Sequence, residues 1–275
     1  MPGTLYVVAT PIGNLADASP RALDTLRQAD LVACEDTRTT RTLLARHGIE
    51  RTMLALHAHN ERSAGAKLLA ELQAGKSVAL VTDAGTPGVS DPGALLVAAA
   101  HRDGIRVVPV PGPNAAVTAY CAAGFAADRF LFVGFLPAKS AARRKALEAL
   151  ELPWPVIFYE APHRMMQTVD DLAQRFGGER EVVIARELTK KFEEVARLPL
   201  ARAADWLRAH AHRQQGEFVV VLGPGAATRP DLAAGERVLE VLLESLPASA
   251  AARLAARISG VPRNALYKLA LARAK

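Results

Sequence analysis

Residues 77–93 read SVALVTDAGTPGVSDPG, and their pattern decides the fold class. Ser77–Val81 is a short apolar run, as expected of a strand buried on both faces. It empties straight into Thr82-Asp83-Ala84-Gly85-Thr86-Pro87-Gly88-Val89-Ser90-Asp91-Pro92-Gly93, where Asp91-Pro92 reads as the cap of the next helix. A strand-to-helix turn needs about two or three residues, and this one uses ten or more. Long glycine-bearing loops at the carboxyl end of a strand bring backbone close to a ligand.

The same grammar repeats outward. Thr4–Ala9 reads as a strand ending in Thr10-Pro11-Ile12-Gly13-Asn14, and Ser19-Pro20 opens a helix to about Ala29. Leu31–Cys34 is a second strand, followed by Glu35-Asp36-Thr37-Arg38 and a helix to His47 that stops at Gly48. Ser63–Ala74 is a helix closed by Gly75. Arg106–Val110 is a strand leading through Pro111-Gly112-Pro113-Asn114 into a small-residue helix, Ala115–Ala123. Strand–helix alternation with short loops predicts a parallel sheet covered on both faces. Near Gly124-Phe125 the pattern restarts, with strands at Phe130–Val133, Val156–Tyr159, Glu181–Arg186, Glu193–Arg197 and Glu217–Leu222. Helices at Ser140–Glu151, Met165–Phe176 and Leu200–Ala209 separate some of them. Beyond Gly225-Ala226-Ala227 only helices are expected. The organisation is thus an α/β domain over 1–125, a second over 126–225 and a helical extension over 226–275.

Composition narrows the class. Half of the 275 residues are hydrophobic and 5% aromatic, so the core is drawn from Ala, Val, Leu and Ile. No stretch reaches the ~20 uninterrupted apolar residues of a membrane span, and Met1–Val8 lacks the basic and apolar regions of a signal peptide. Cys34 and Cys121 are the only cysteines and join no Cys/His cluster. A disulfide framework or structural zinc is therefore not expected, and a cytoplasmic location is. His57, His59, Asn60 and Glu61 lie close together, but the i, i+2 histidine spacing falls in a loop or short strand and no further carboxylate or Cys completes a convincing site, so no metal is expected. The fingerprints G-x-G-x-x-G after the first strand, G-x-x-x-x-G-K-[ST], H-E-x-x-H and G-x-S-x-G are all absent. Dinucleotide folds of the usual kind, phosphate-loop NTPases, zinc peptidases and serine hydrolases recede with them.

In order along the chain stand TLYVVATPIGNLAD (4–17), CEDTRTTRTLL (34–44), LVTDAGTPGVSDPG (80–93), VPVPGPNAAVTA (108–119), FLFVGFLP (130–137), FYEAPHR (158–164), VVIARELTKKFEE (182–194) and GEFVVVLGP (216–224). Together they resemble the tetrapyrrole methylase superfamily of S-adenosylmethionine-dependent methyltransferases. The closer likeness is to its RNA-methylating branch, which acts on the ribose 2′-OH of a cytidine in 16S rRNA of the small ribosomal subunit. The resemblance implies two α/β domains of the tetrapyrrole-methylase type with the cofactor cleft between them, a helical C-terminal appendage, and a homodimer. Carried over by position, Pro11, Ile12 and Gly13 line the methionine side of the cofactor. Gly85, Thr86, Pro87, Gly88 and Val89 replace the Gly-Asp-Pro run of corrin-making relatives and contact ribose and methionine. Asn114 and Ala115 sit near the cofactor at a helix start, while Tyr159, Ala185 and Arg186 flank the adenine. Thr86 departs from the acidic residue usual in the wider superfamily, which agrees with the RNA-methylating branch.

A ribose hydroxyl is a poor nucleophile, so an acceptor for its proton is expected to contribute ~10²–10⁴-fold. Asp36, Asp83, Glu160, His163 and Glu187 are candidates. Glu160 and Glu187 lead because each follows a predicted strand of the second domain. The net charge of +6 favours a polyanionic partner. Arg38, and Arg143, Arg144 and Lys145 in the run PAKSAARRK (137–145), are candidate RNA contacts. Ala251–Lys275 carries six basic residues and no acidic ones. Within it, Ser249–Ile258, a break at Ser259-Gly260 and Pro262–Leu271 resemble a helix-turn-helix that presents Arg253, Arg257, Arg263 and Lys268 to phosphates. Two competing readings remain at this point. One is a C-methyltransferase of corrinoid or sirohaem synthesis, and the other is a non-catalytic RNA-binding protein on the same fold.

Overall fold

Strands β1 (Thr4–Val8), β2 (Leu31–Cys34), β3 (Thr52–Ala55), β4 (Val78–Leu80) and β5 (Arg106–Val110) form one wholly parallel sheet in the order β3-β2-β4-β1-β5. The computed structural model describes residues 2–225 and 232–273. Helices α1 (Pro20–Gln28) and α2 (Thr37–Arg46) cover one face, packing Ala22, Leu26 and Leu44 on Val8, Val32, Ala79 and Val81. Helices α3 (Glu61–Gln73) and α4 (Ala94–Arg102) cover the other, packing Leu68, Leu72 and Leu96 on Leu5, Ala33, Val78 and Leu80. Successive residues of β4 thus alternate between two dry layers, which is why the strand reads as an unbroken apolar run.

Helix α5 (Ala115–Ala123) belongs in sequence to this sheet but packs on the next. Its Ala116, Ala119 and Ala123 lie against Ile157, Val183, Ala185, Val219 and Val221. Small side chains let the helix sit close to the strands.

The second sheet is β6 (Leu131–Phe135), β7 (Val156–Glu160), β8 (Glu181–Arg186), β9 (Glu194–Pro199) and β10 (Phe218–Leu222), in the order β6-β7-β10-β8-β9. It is mixed. Strand β7 runs parallel to β6, while β10 is antiparallel to both β7 and β8, and β9 is antiparallel to β8. The link from β8 to β9 is too short for a parallel crossover. Helices α6 (Ser140–Glu148), α7 (Met165–Phe176) and α8 (Leu200–Arg208) complete this part.

Residues 1–150 and 154–223 cluster as one unit, and 151–153 with 224–275 as a second. In the latter, α9 (Leu232–Leu243), α10 (Ala248–Ser259) and α11 (Arg263–Arg273) enclose Leu239, Ala251, Ala252, Ala255, Val261, Leu266 and Ala270. Gly260, at φ +73, makes the turn between α10 and α11. Gly235 is needed for contact, because a Cβ there would meet Val261 Cγ2 at 2.6 Å. The expected break at Ala226-Ala227 and the final basic residue, Lys275, fall outside the described residues.

Two features depart from the sequence pattern. β3 carries no signal of its own, since four residues on a sheet edge are too few to show a period. Helix α4 starts at Ala94 with Gly93 as its N-cap, so Asp91-Pro92 does not cap it.

Candidate active site

The chain leaves β1 for α1 on one face of the first sheet and leaves β4 for α4 on the other face. β1 and β4 are neighbours. The crevice beyond their carboxyl ends is therefore the topological switch point, where ligands bind in open parallel sheets. The two loops are tied across it. Thr10 N–H donates to the Gly85 carbonyl at 2.8 Å, Gly85 N–H returns a bond to the Thr10 carbonyl at 3.1 Å, and Thr10 Oγ1 donates to the Thr82 carbonyl at 3.1 Å. Thr86 Oγ1 donates to the Pro113 carbonyl at 3.0 Å, joining the third loop to the second. Gly85 sits at φ +88, where a side chain is strained.

These loops and the strand ends of β6, β7 and β10 enclose a cavity of about 390 Å³, within the roughly 300–1,000 Å³ of small-molecule sites. Of the residues expected at the cofactor, Ile12, Gly85, Thr86, Val89, Asn114, Ala115 and Tyr159 line it. Asn114 caps α5, accepting from Val117 N–H at 3.2 Å. Tyr159 is wedged beside Phe132 and Phe135, with ring centroids 5.0 and 5.5 Å away. Val219 lines the floor between Tyr159 and Ala185, its register partners on either side.

Six further residues expected at the cofactor do not line this cavity. Gly13 borders a separate groove with Arg46, His47, Lys190 and Lys191. Pro11, Pro87 and Gly88 shape the loops without lining the cavity. Ala185 is fully buried one strand beyond Val219. Arg186 is buried too, its Nε donating to the Gln215 carbonyl at 2.7 Å and its Nη1 to the Phe192 carbonyl at 2.9 Å, so it braces loops instead of facing a ligand.

The two leading carboxylates also prove to be engaged. Glu160 Oε1 accepts from Ala161 N–H at 2.8 Å and pairs with Arg164 Nε at 3.0 Å, while Oε2 accepts from Thr168 Oγ1 at 2.7 Å. Its side chain is wholly buried, and it anchors the start of α7. Glu187 Oε1 pairs with Lys190 at 2.9 Å and accepts from Glu217 N–H at 2.9 Å. Burial pushes its carboxyl up, but those donors outweigh it and hold it below the ordinary value. A carboxylate so satisfied is a weak base. Asp36 is spent on Arg38, which holds it at about 2. Asp83 Oδ1 accepts from Asp36 N–H at 3.0 Å, and His163 is exposed in the turn before α7.

Asp91, in the loop quoted first, lines the cavity. Burial, then the nearby Glu35 and Asp83, push its carboxyl up to about 6 against the opposing Thr82 hydroxyl. Its expected capping work is done by Glu61, whose Oε1 accepts from Gly93 N–H at 2.8 Å and Leu95 N–H at 3.1 Å. Asn60 meanwhile holds its own turn, accepting from His57 N–H at 2.8 Å and donating to the Ala55 carbonyl at 3.0 Å. Asn60 and Glu61 thus hold loop backbone.

Among the candidate RNA contacts, Arg143 needs correction. It is fully buried, with Nε and Nη2 both 2.7 Å from Asp171 Oδ2, and is closed to any phosphate. It falls on the inward face of α6, where a run of adjacent cations offers no clue to orientation. Arg144, Lys145 and Arg38 are exposed, as are Arg253, Arg257, Arg263 and Lys268. No helix among the described residues is long and apolar enough to cross a membrane.

Comparison with known proteins agrees with this geometry. The tetrapyrrole (corrin/porphyrin) methylase profile matches residues 4–204, and the profile of the RsmI C-terminal HTH domain matches 229–274. The ribosomal RNA small subunit methyltransferase I of Pseudomonas aeruginosa is 52% identical, covering 98% of both chains. Its counterpart from Escherichia coli O157:H7 is 49% identical over 98% of this chain and 95% of its own. A uroporphyrin-III C-methyltransferase from Thermus thermophilus, solved with S-adenosyl homocysteine, shares the fold at a TM-score of 0.54 and 16% identity, over 80% of this chain and 97% of that one. The chain belongs to the tetrapyrrole (corrin/porphyrin) methylase family, among the ribosomal RNA small subunit methyltransferases I, and is a methyltransferase.

Proposed function

We propose that this enzyme transfers a methyl group from S-adenosylmethionine to the ribose 2′-OH of a cytidine in 16S rRNA of the small ribosomal subunit, working in the cytoplasm as a homodimer. The observation that carries the reading is the cavity at the switch point. Apolar side chains and loop backbone line most of it, with one carboxylate, Asp91, that has no Lys or Arg partner among the described residues. That donor set fits a flat, uncharged base at one end and a sulfonium cation at the other. The structural relative solved with the demethylated cofactor product, and the RNA-directed relatives, support the same choice.

Bound there, the cofactor would supply an electrophilic methyl group, and the protein would supply orientation. Ile12, Gly85, Thr86 and Val89 would hold the methionine end. Tyr159 offers a face for stacking, and Asn114 and Ala115 at the start of α5 complete the wall. Alignment of this kind contributes ~7–11 kcal/mol towards a displacement barrier. The exposed cations at 253, 257, 263 and 268 would hold phosphates, and recognition of a 2′-OH distinguishes RNA from DNA.

The reading is tested by incubating the enzyme with labelled S-adenosylmethionine and small subunits lacking the modification, then mapping the label. Label on a single cytidine ribose is expected. Cofactor binding without transfer to subunits or naked rRNA would overturn it in favour of a small-molecule acceptor.

A further inference from the structure

We infer that Asp91 is the general base of this site, accepting the proton of the attacking hydroxyl; the inference rests on the ribose-methylation reading above. Three carboxylates border the cavity. Glu160 is locked by Arg164, Thr168 and Ala161 N–H, and Glu217 lies largely in solvent and pairs with Lys190 at 2.9 Å. Asp91 alone of the three lacks a cationic partner among the described residues, so its lone pairs remain basic.

The local geometry shows why this aspartate does not cap α4. An Asp-Pro pair ahead of a helix ordinarily caps it. Here Ser90 takes the left-handed conformation, φ +65, and Gly93 takes φ +121, so the chain turns before the helix begins. Glu61 then reaches across from α3 to satisfy the first N–H groups of α4. A strained non-glycine residue beside a released carboxylate is a pattern of functional sites. Gly134 of β6 makes room for the turn, since a Cβ there would come 2.9 Å from Ser90 Oγ.

The groups facing Asp91 are acidic or neutral. Glu35 follows β2, Asp83 and Thr82 follow β4, and Tyr159 lies near the end of β7. Thr82 Oγ1 donates to Glu35 Oε2 at 2.9 Å. In the transfer step the methyl carbon–oxygen bond forms as the carbon–sulfur bond of the sulfonium donor breaks. The electron pair of that bond stays on sulfur, and the hydroxyl proton moves to the Asp91 carboxylate. Atoms and charge balance without any further reactant.

The test compares wild-type enzyme with Asp91→Asn in the labelled-subunit assay across pH 5–9, with S-adenosylmethionine affinity measured alongside. The wild-type rate should fall as pH drops through about 6, because the acid form cannot accept a proton. The Asn variant should lose ~10²–10⁴-fold in kcat, keep its cofactor Kd, and show no such limb. A second readout is thermal stability. Because the folded pKa lies above the ordinary value of 3.8, the stability this group contributes is complete below about 4 and is lost as pH rises through 6. Asp91→Asn should therefore raise Tm at pH 8 and leave it unchanged at pH 4. Undiminished kcat in the variant, or a loss confined to cofactor Kd, would overturn the assignment alone. Absence of transfer by the wild-type enzyme would instead overturn the ribose reading and the base together.

Discussion

At the scale of single residues, the protein separates carboxylates that hold it together from those left free to react. Arg143 and Asp171 make the clearest structural pair: a guanidinium with no exposure against a carboxylate only 10% exposed. Removing one partner strands the other's charge, at a cost of about 3–5 kcal/mol. Asp171→Asn is thus expected to lower stability by that amount in denaturant unfolding, while RNA affinity in the same variant, measured below its midpoint, stays at the wild-type value. The residues of the site differ in how legible they are from sequence. Those carried by glycine- and proline-rich loops, such as Ile12, Gly85, Thr86 and Asn114, announce themselves through loop length and strand-end position. Asp91 stands in the same loop but reads as a helix cap, because its release depends on Glu61, well upstream in order yet adjacent in space to the start of α4. Glu160 and Glu187 stand out for following strands, and each is occupied by a cation close by in sequence, Arg164 four residues on and Lys190 three.

At the scale of elements, α4 depends on a cap supplied by α3. Glu61→Ala should cost about 0.5–2 kcal/mol of stability, the usual range for a missing cap. It should also loosen the loop that carries Asp91, so kcat is expected to fall more than cofactor affinity does, as steady-state and equilibrium measurements on one preparation would show. The strands of the first sheet are readable because both faces are dry and each run is unbroken; β3, on the edge and four residues long, is not. The antiparallel members of the second sheet can be located but not oriented, since direction follows from connection length and pairing rather than from composition.

At the scale of the whole molecule, the basic residues of α10 and α11 carry the expected grip on RNA. Replacing Arg253, Arg257, Arg263 and Lys268 with Gln should weaken binding to small subunits. The slope of log affinity against log salt should become shallower by about one unit for each phosphate no longer neutralised, while cofactor affinity is unchanged. An unchanged slope would show that these cations do not touch the RNA.

The strand order has a consequence for how the chain comes off the ribosome. β1 is made first, yet its partners are β4 and β5, with Leu5 beside Val78 and Thr4 beside Arg106. β2 and β3 can pair with each other much earlier. The N-terminal strand therefore waits, apolar and unpaired, until translation has passed Leu80, and keeps one open edge until it has passed Val110. Nascent chains of this enzyme should be most dependent on holding chaperones over that interval, and should shed that dependence once β5 has emerged.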